Sequence, residues 1–316
     1  MGTRYVAVGK ETTYGTAVAA TRYADAVAAI KPDQNWIIPA SVGSRSVLKR
    51  SLGPYRARGS IGDFPAEPEN IVGELLYGVF GSVSSAQQGG TSAYLHTFSP
   101  ADSLPSYTVR IGVEQTERVL PGCLIEALTV KFKHDDVVKA YAEVLSGFPE
   151  TKASIGSPTL SSLQAFDMTD TSAVLTIGGV SKRSVVYDLE VTVKNNIPFD
   201  RGALDGRTFS VKRYGQREVT GKLSAYFDDT AEYDRFIAGS EFNLAITAVG
   251  AEIAGGYKYQ LGFELRKCVY LRDAAPEVKV QNEPLVIDAP FQAFYDSTGG
   301  FNAEAKATLQ NTVTSY

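Results

Sequence analysis

Leu124-Ile125-Glu126-Ala127-Leu128-Thr129-Val130-Lys131-Phe132-Lys133, a polar break at His134-Asp135-Asp136, and then Val137-Val138-Lys139-Ala140-Tyr141-Ala142-Glu143-Val144-Leu145 read as two long strands joined by a hairpin turn. Leu128, Val130 and Phe132 alternate with Thr129, Lys131 and Lys133, and Val138, Ala140, Ala142 and Val144 alternate with Lys139, Tyr141 and Glu143. A period of two sends one set to a core and the other to a wet face. His134, Asp135 and Asp136 could be imagined as metal ligands, but consecutive strand residues point to opposite faces and do not converge on one ion; a polar turn explains all three.

The same signals recur on both sides of this hairpin. Before it, strands are expected at Asn35–Ser41, Tyr55–Phe64, Tyr94–Phe98 and Ser106–Val113. After it, they are expected at Ala173–Ile177, Val185–Lys194, Arg217–Phe227, Phe242–Thr247, Tyr257–Leu265, Val278–Val280, Leu285–Phe294 and Ala303–Leu309. Pro121-Gly122, Asn195-Asn196, Gly255-Gly256 and Gly299-Gly300 mark turns. Only two segments read as helices. Ile71, Val72, Leu75, Leu76, Val79 and Phe80 recur at helical spacing between Pro68-Glu69 and Gly81, and Tyr233, Phe236 and Ile237 do so between Asp229-Thr230 and Gly239.

Each helix follows a strand in its own half of the chain. Arg58-Gly59-Ser60-Ile61 precedes the first and Thr220-Gly221-Lys222-Leu223 the second, an offset of 220 − 58 = 162; Val130-Lys131-Phe132-Lys133 aligns with Val278-Lys279-Val280-Gln281, at 278 − 130 = 148. The expected fold is mainly β, with two tandem β-sandwich or barrel domains that each carry one short α-helix. Their bounds are 24–155 and 156–316, divided within Thr151–Pro158, and an extended N-terminal arm, 1–23, belongs to neither core and lies on something else.

Composition narrows function. The chain has 316 residues, which suits about two domains; 44% are hydrophobic and 21% charged, enough apolar surface for a real core. Lys+Arg 31 against Asp+Glu 35 leaves −4, a poor match to a surface that grips phosphates throughout. Two Cys (Cys123, Cys268) make neither a disulfide framework nor a zinc site, and two His (His96, His134) show no triad pattern. Gly9-Lys10-Glu11-Thr12 fails as a phosphate loop, since Arg4 stands where the first Gly should and no Ser or Thr follows Lys10. Asp228-Asp229 reads as a helix N-terminal cap. No stretch approaches the roughly 18 apolar residues of a membrane helix, and the first residues are too polar for a signal peptide. The expectation is a protein without catalytic, metal or cofactor site that stays in a reducing cytoplasm or leaves it by a route other than secretion.

One charge feature remains. From Trp36 to Gly62 the chain carries Arg45, Lys49, Arg50, Arg56 and Arg58 and no Asp or Glu, and its segment Val42–Pro54 is long for a hairpin connection. It reads either as a solvated basic loop or as one that docks on an acidic surface, a neighbouring subunit or nucleic acid, and the chain's overall acidity favours the protein partner.

The order of these features is similar to that of the tail tube proteins of long-tailed, non-contractile bacteriophages. The resemblance rests on Val8-Gly9-Lys10-Glu11-Thr12-Thr13-Tyr14-Gly15-Thr16-Ala17, the strand around Trp36, the basic loop, Gly59, the helix Asn70–Phe80, Tyr94-Leu95-His96-Thr97-Phe98, Pro105-Ser106-Tyr107-Thr108-Val109 and Pro121-Gly122; it is strongest over 1–150. It implies tail-tube-type domains whose sheets join between subunits into a closed barrel, with six-domain rings stacked into a hollow tube through which DNA passes without specific binding. Two such domains per chain imply three chains per ring and pseudo-six-fold symmetry. Implied partners are further copies of the chain, a tape measure protein, a tail terminator and a distal tail protein; the implied location is the virion, after assembly in the host cytoplasm.

On this reading Val6, Glu11, Tyr14, Arg45, Lys49, Arg50, Tyr55 and Arg56 are candidate assembly contacts, and Thr129, Lys131, Lys133, Lys279 and Gln281 mark lumen-wall strands. A counterpart of the basic loop in the second half is sought in Ile197–Arg213. Alternatives are a baseplate or distal-tail ring protein and, in another class, a β-sandwich ligand-binding module using Trp36 and surface Tyr residues.

Overall fold

A computed structural model describes residues 3–198, 206–209, 212–271 and 285–316. In chain order the first half contains β1 (Thr3–Lys10), β2 (Arg22–Ala24), β3 (Lys31–Ile37), β4 (Ser51–Pro65), α1 (Val72–Phe80), β5 (Gly81–Gln87), β6 (Tyr94–Pro100), β7 (Tyr107–Glu114), β8 (Thr116–Lys133), β9 (Lys139–Ser146) and β10 (Thr151–Ser154). The second half contains β11 (Val174–Ile177), β12 (Val180–Ser181), β13 (Val186–Lys194), β14 (Glu218–Tyr226), α2 (Ala231–Ala238), β15 (Phe242–Ala254), β16 (Tyr257–Tyr270), β17 (Val286–Ala293) and β18 (Ala305–Asn311). The protein is mainly β, as its alternation predicts, and the described strand pairs are antiparallel.

Two sheets face one another. The first runs β3-β4-β9-β8-β13-β14-β17, with β1, β2 and β7 joined through the N-terminal part of β8. The second runs β5-β6-β18-β16-β15-β11-β12. Both sheets mix strands of the two halves, and apolar residues of both halves form one continuous core. Phe132 of β8 and Phe263 of β16 meet edge to face at 6.2 Å within it.

The helices form where the sequence places them. Gly81 and Gly239, at φ of 91° and 60°, close them in the left-handed conformation that glycine adopts without a Cβ clash. At the start of α2 the Asp229 carboxylate accepts the Ala231 N–H at 2.9 Å. Helix α1 is nearly all buried, whereas in α2 Glu232 alone is buried and the other residues are half-buried or exposed.

The first part of the expected N-terminal arm is different from that expectation. Thr3–Lys10 is not a detached extension but a strand of the first sheet, between β2 and β7, with Val6 paired to Ala24 and Ile111. Tyr5, Val6, Ala7 and Val8 are all buried. A strand covered on both faces shows no alternation, so this apolar run lacks the signature that marks a half-buried strand.

Candidate assembly surfaces

The halves repeat at residue level. A Cβ on Gly59 would stand 2.0 Å from the Ala29 carbonyl, and one on Gly221 would stand 2.3 Å from that of Glu190; one on Gly53 would meet the Asn35 carbonyl at 2.9 Å and one on Gly215 that of Asn196 at 1.9 Å. Each glycine lets two backbones approach at the same place in its half. The offset is 221 − 59 = 162 on β4 and β14, and 190 − 29 = 161 on the chain that each of them faces, Ala29 just ahead of β3 and Glu190 within β13. Gly59 pairs with Val144 and Gly221 with Phe291, giving 291 − 144 = 147 on β9 and β17.

In the second half, both edges of β13 are paired. One lies on β14 and the other on β8 of the first half, from Asp188 opposite Lys133 to Lys194 opposite Ala127. The chain beyond it continues across the first half. Asn195 donates its side-chain N–H groups to the carbonyls of Val79 and Ile125 at 3.1 and 3.2 Å, and the Ile197 N–H donates to the Glu126 carboxylate at 3.0 Å. Burial raises the Glu126 carboxyl above its usual range, opposed by that hydrogen bond and by Lys194 and Arg58. Ile197 packs with Leu104, Leu124 and Leu145. Further on, the Tyr55 N–H donates to the Arg207 carbonyl at 2.9 Å, and the Phe209 N–H donates to that of Gly147 at 3.1 Å.

In the first half, β3 pairs with β4 alone among the described residues. The Ile30 carbonyl just before it accepts a bond from Arg118 at 3.0 Å; from Lys31 to Ile37 every residue is exposed. Trp36 stands 49% exposed where its counterpart Ile197 is 7% exposed. The loop 38–50 offers Val42, Val47 and Leu48 to solvent together with Arg45, Lys49 and Arg50. The Arg50 guanidinium lies 4.9 Å over the Trp36 ring.

The expected contact residues divide into two groups. Arg45, Lys49 and Arg50 are exposed on the loop. Val6 is fully buried, and the buried Glu11 accepts bonds from Thr108, Gly122 and Gly15 at 2.9, 2.7 and 2.9 Å; both side chains pack into the chain's own interior. Tyr55 is also buried. Tyr14 packs edge to face on Phe148 at 5.0 Å beneath the Lys212 ammonium, and Arg56 lies 5.3 Å over Phe209. Tyr14, Tyr55 and Arg56 thus meet the second half of the same chain, along part of the segment sought as the counterpart of the basic loop. Asn195, Ile197 and Phe209 are contact residues that the strand pattern missed; the turn signal Asn195-Asn196 and the search for a loop counterpart in Ile197–Arg213 marked their neighbourhood without naming them.

Thr129, Lys131 and Lys133 share the face of the first sheet that points away from its core. Thr129 shares a hydrogen bond with Thr192 at 2.9 Å, Lys131 pairs with Asp63 at 3.1 Å and Lys133 with Asp135 at 3.7 Å. Across the same face Lys222 pairs with Asp288 at 3.3 Å. Opposite charges alternate there, so the face has no strong field of either sign. Lys279 and Gln281 lie outside the described residues.

A two-sheet scaffold with an exposed strand, β3, paired on one edge alone among the described residues, an apolar and basic loop, and a charge-balanced outer face defines a structural β protein whose notable features are surfaces. The family model of phage tail tube proteins matches residues 3–293, and the chain belongs to that family. It is therefore a structural component of a phage tail. A search of curated proteins finds no match to the chain.

Proposed function

We propose that this chain is the repeating subunit of the tail tube of a long-tailed, non-contractile phage. Copies join head to tail, the edge at β3 of one taking up the second half of the next as β13 takes up β8 within the chain. An open sheet edge is an aggregation hazard until it is paired, and a head-to-tail contact that closes makes a ring. Three chains of two halves give a ring of pseudo-six-fold symmetry, and stacked rings give the hollow conduit through which DNA is ejected. The face carrying Thr129, Lys131 and Lys133 lines the lumen; its alternating charges give DNA no continuous basic track. The tape measure protein, tail terminator and distal tail protein are the partners of such a tube.

The observation that carries the reading is the difference between β13, paired on both edges, and β3, paired on one. Negative-stain electron microscopy of the purified chain tests it, with hollow tubes as the expected result. Isolated rings that never stack would instead indicate a baseplate or distal-tail adaptor, and a monomer at every concentration would overturn self-assembly.

A further inference from the structure

We infer that Phe294 and Tyr295, at the end of β17, are the receptor on one copy for the Trp36 strand end and basic loop 38–50 of the next. The inference rests on the tube reading and specifies the contact that the reading requires. Within the chain, the segment after β13 crosses the end of β9. There the Phe209 N–H bonds to the Gly147 carbonyl, and a Cβ on Gly147 would meet the Phe209 side chain at 2.6 Å, so the two surfaces touch. Ile197, at the head of the same segment, is buried against Leu145.

The offset of 147 carries this receiving surface into the second half. Gly147 corresponds to Phe294 and Phe148 to Tyr295, while Ile197 corresponds to Trp36 by the offset of 161. Gly147 is buried beneath Phe209. Phe294 and Tyr295 are 45% and 61% exposed, although they follow a strand whose inward residues are buried. Two adjacent large aromatic side chains in solvent are the kind of anchor that interfaces bury. The loop that would cover them is itself apolar and exposed, so each surface lacks the cover that the other can supply.

Charge supports the same pairing. Val219 pairs with Ala293, which sets Glu218 beside Phe294 in the register of β14 and β17. Glu218 occupies the place of Arg56, since 218 − 56 = 162. The receiving site of the second half therefore has an acid where that of the first has a base, and the incoming loop carries Arg45, Lys49 and Arg50 with no Asp or Glu. The occupant is accordingly a second copy of this chain, oriented head to tail.

Two full-length variants test the contact. One carries Arg45→Glu, Lys49→Glu and Arg50→Glu, and the other Phe294→Ser and Tyr295→Ser; all five positions are exposed, so circular dichroism should match the wild type. Each variant alone should lose assembly by roughly 10- to 100-fold in the concentration required. Mixed in equal amounts, they should form dimers that grow no further in sedimentation velocity, because one intact loop meets one intact receptor and both remaining ends are defective. If wild type forms tubes and the Phe294 and Tyr295 variant assembles equally well, or the mixture stays monomeric, the receptor assignment is wrong and the tube reading stands. If folded wild type stays monomeric at every concentration, both fail.

Discussion

Lys31–Ile37 with its loop 38–50 and Val186–Lys194 with the segment after it begin from equivalent places in a repeated fold. The chain leading into the first strand and the second strand itself lie against a glycine-bearing neighbour through the same close approach, Gly59 on Ala29 and Gly221 on Glu190. Among the described residues, only the second has a receiving surface within its own chain. There the linker presents Ile197 to Leu104, Leu124 and Leu145, and the polar atoms of Asn195 find buried carbonyls. The first presents Trp36, Val42, Val47 and Leu48 to water. The same backbone arrangement therefore appears once completed and once open, and the completed version shows what the open one lacks.

The largest expected effect comes from placing a carboxylate at both ends of the pair. Ile197→Asp buries an unpaired charge between the halves and should reduce unfolding stability by about 3 kcal/mol or more. Trp36→Asp changes an exposed side chain and should alter stability by no more than about 0.5 kcal/mol, while abolishing assembly. Urea unfolding with sedimentation of the same samples measures both quantities. Equal loss of stability in the two variants would mean that the edge at β3 is already covered within the chain.

A smaller difference is expected two positions before each of those residues. Asn195 is buried with two carbonyl partners, and its counterpart at 195 − 161 is Gln34, on the exposed strand. Asn195→Ala leaves the carbonyls of Val79 and Ile125 without that donor and should reduce stability by about 1–3 kcal/mol. Gln34→Ala should be neutral within about 0.5 kcal/mol for the isolated chain. Thermal unfolding below the concentration at which copies associate compares them directly.

The parts of this arrangement that the sequence shows are those with a local cause. Strands with one wet face alternate, as in Leu128–Lys133, and the left-handed glycines Gly81 and Gly239 end their helices where expected. Elements without that contrast escape notice. β1 is buried on both sides, and β5, Gly-Ser-Val-Ser-Ser-Ala-Gln, is small and mostly exposed; β3, exposed throughout and containing Pro32, is legible only in part, since the expected strand Asn35–Ser41 overlaps its C-terminal end and misses its start. Arg45, Lys49 and Arg50 could be found from charge alone, because a loop without acids stands out in an acidic chain. Val6, Glu11 and Tyr55 could not be assigned in that way, since their places depend on partners distant in sequence: Ile111 for Val6, Thr108 and Gly122 for Glu11, and Arg207 for Tyr55. The pairing of β8 with β13 joins residues 55 to 67 positions apart, and its register comes from tertiary packing. Phe294 and Tyr295 become informative only after the register equates them with Gly147 and Phe148.

The finest test of the completed junction is its response to pH. Glu126 accepts the Ile197 N–H that ties the linker to the first half, and burial is the main cause of its raised pKa. With the folded value above the unfolded one, the folded chain holds the proton more tightly, so ionisation weakens folding. That penalty is absent below the unfolded pKa, develops as pH rises toward the folded value and is complete above it. Glu126→Gln keeps an oxygen to accept the Ile197 N–H and removes the buried charge. It should therefore stabilise the chain at pH 7 and make no difference at pH 3, where Glu126 is protonated in both states. Urea unfolding of the two chains across that range reads the difference. A gain that persists unchanged at pH 3 would show that packing of the amide, not the removed charge, is responsible, and a loss at pH 7 would show that the carboxylate holds Ile197 more firmly than its burial opposes.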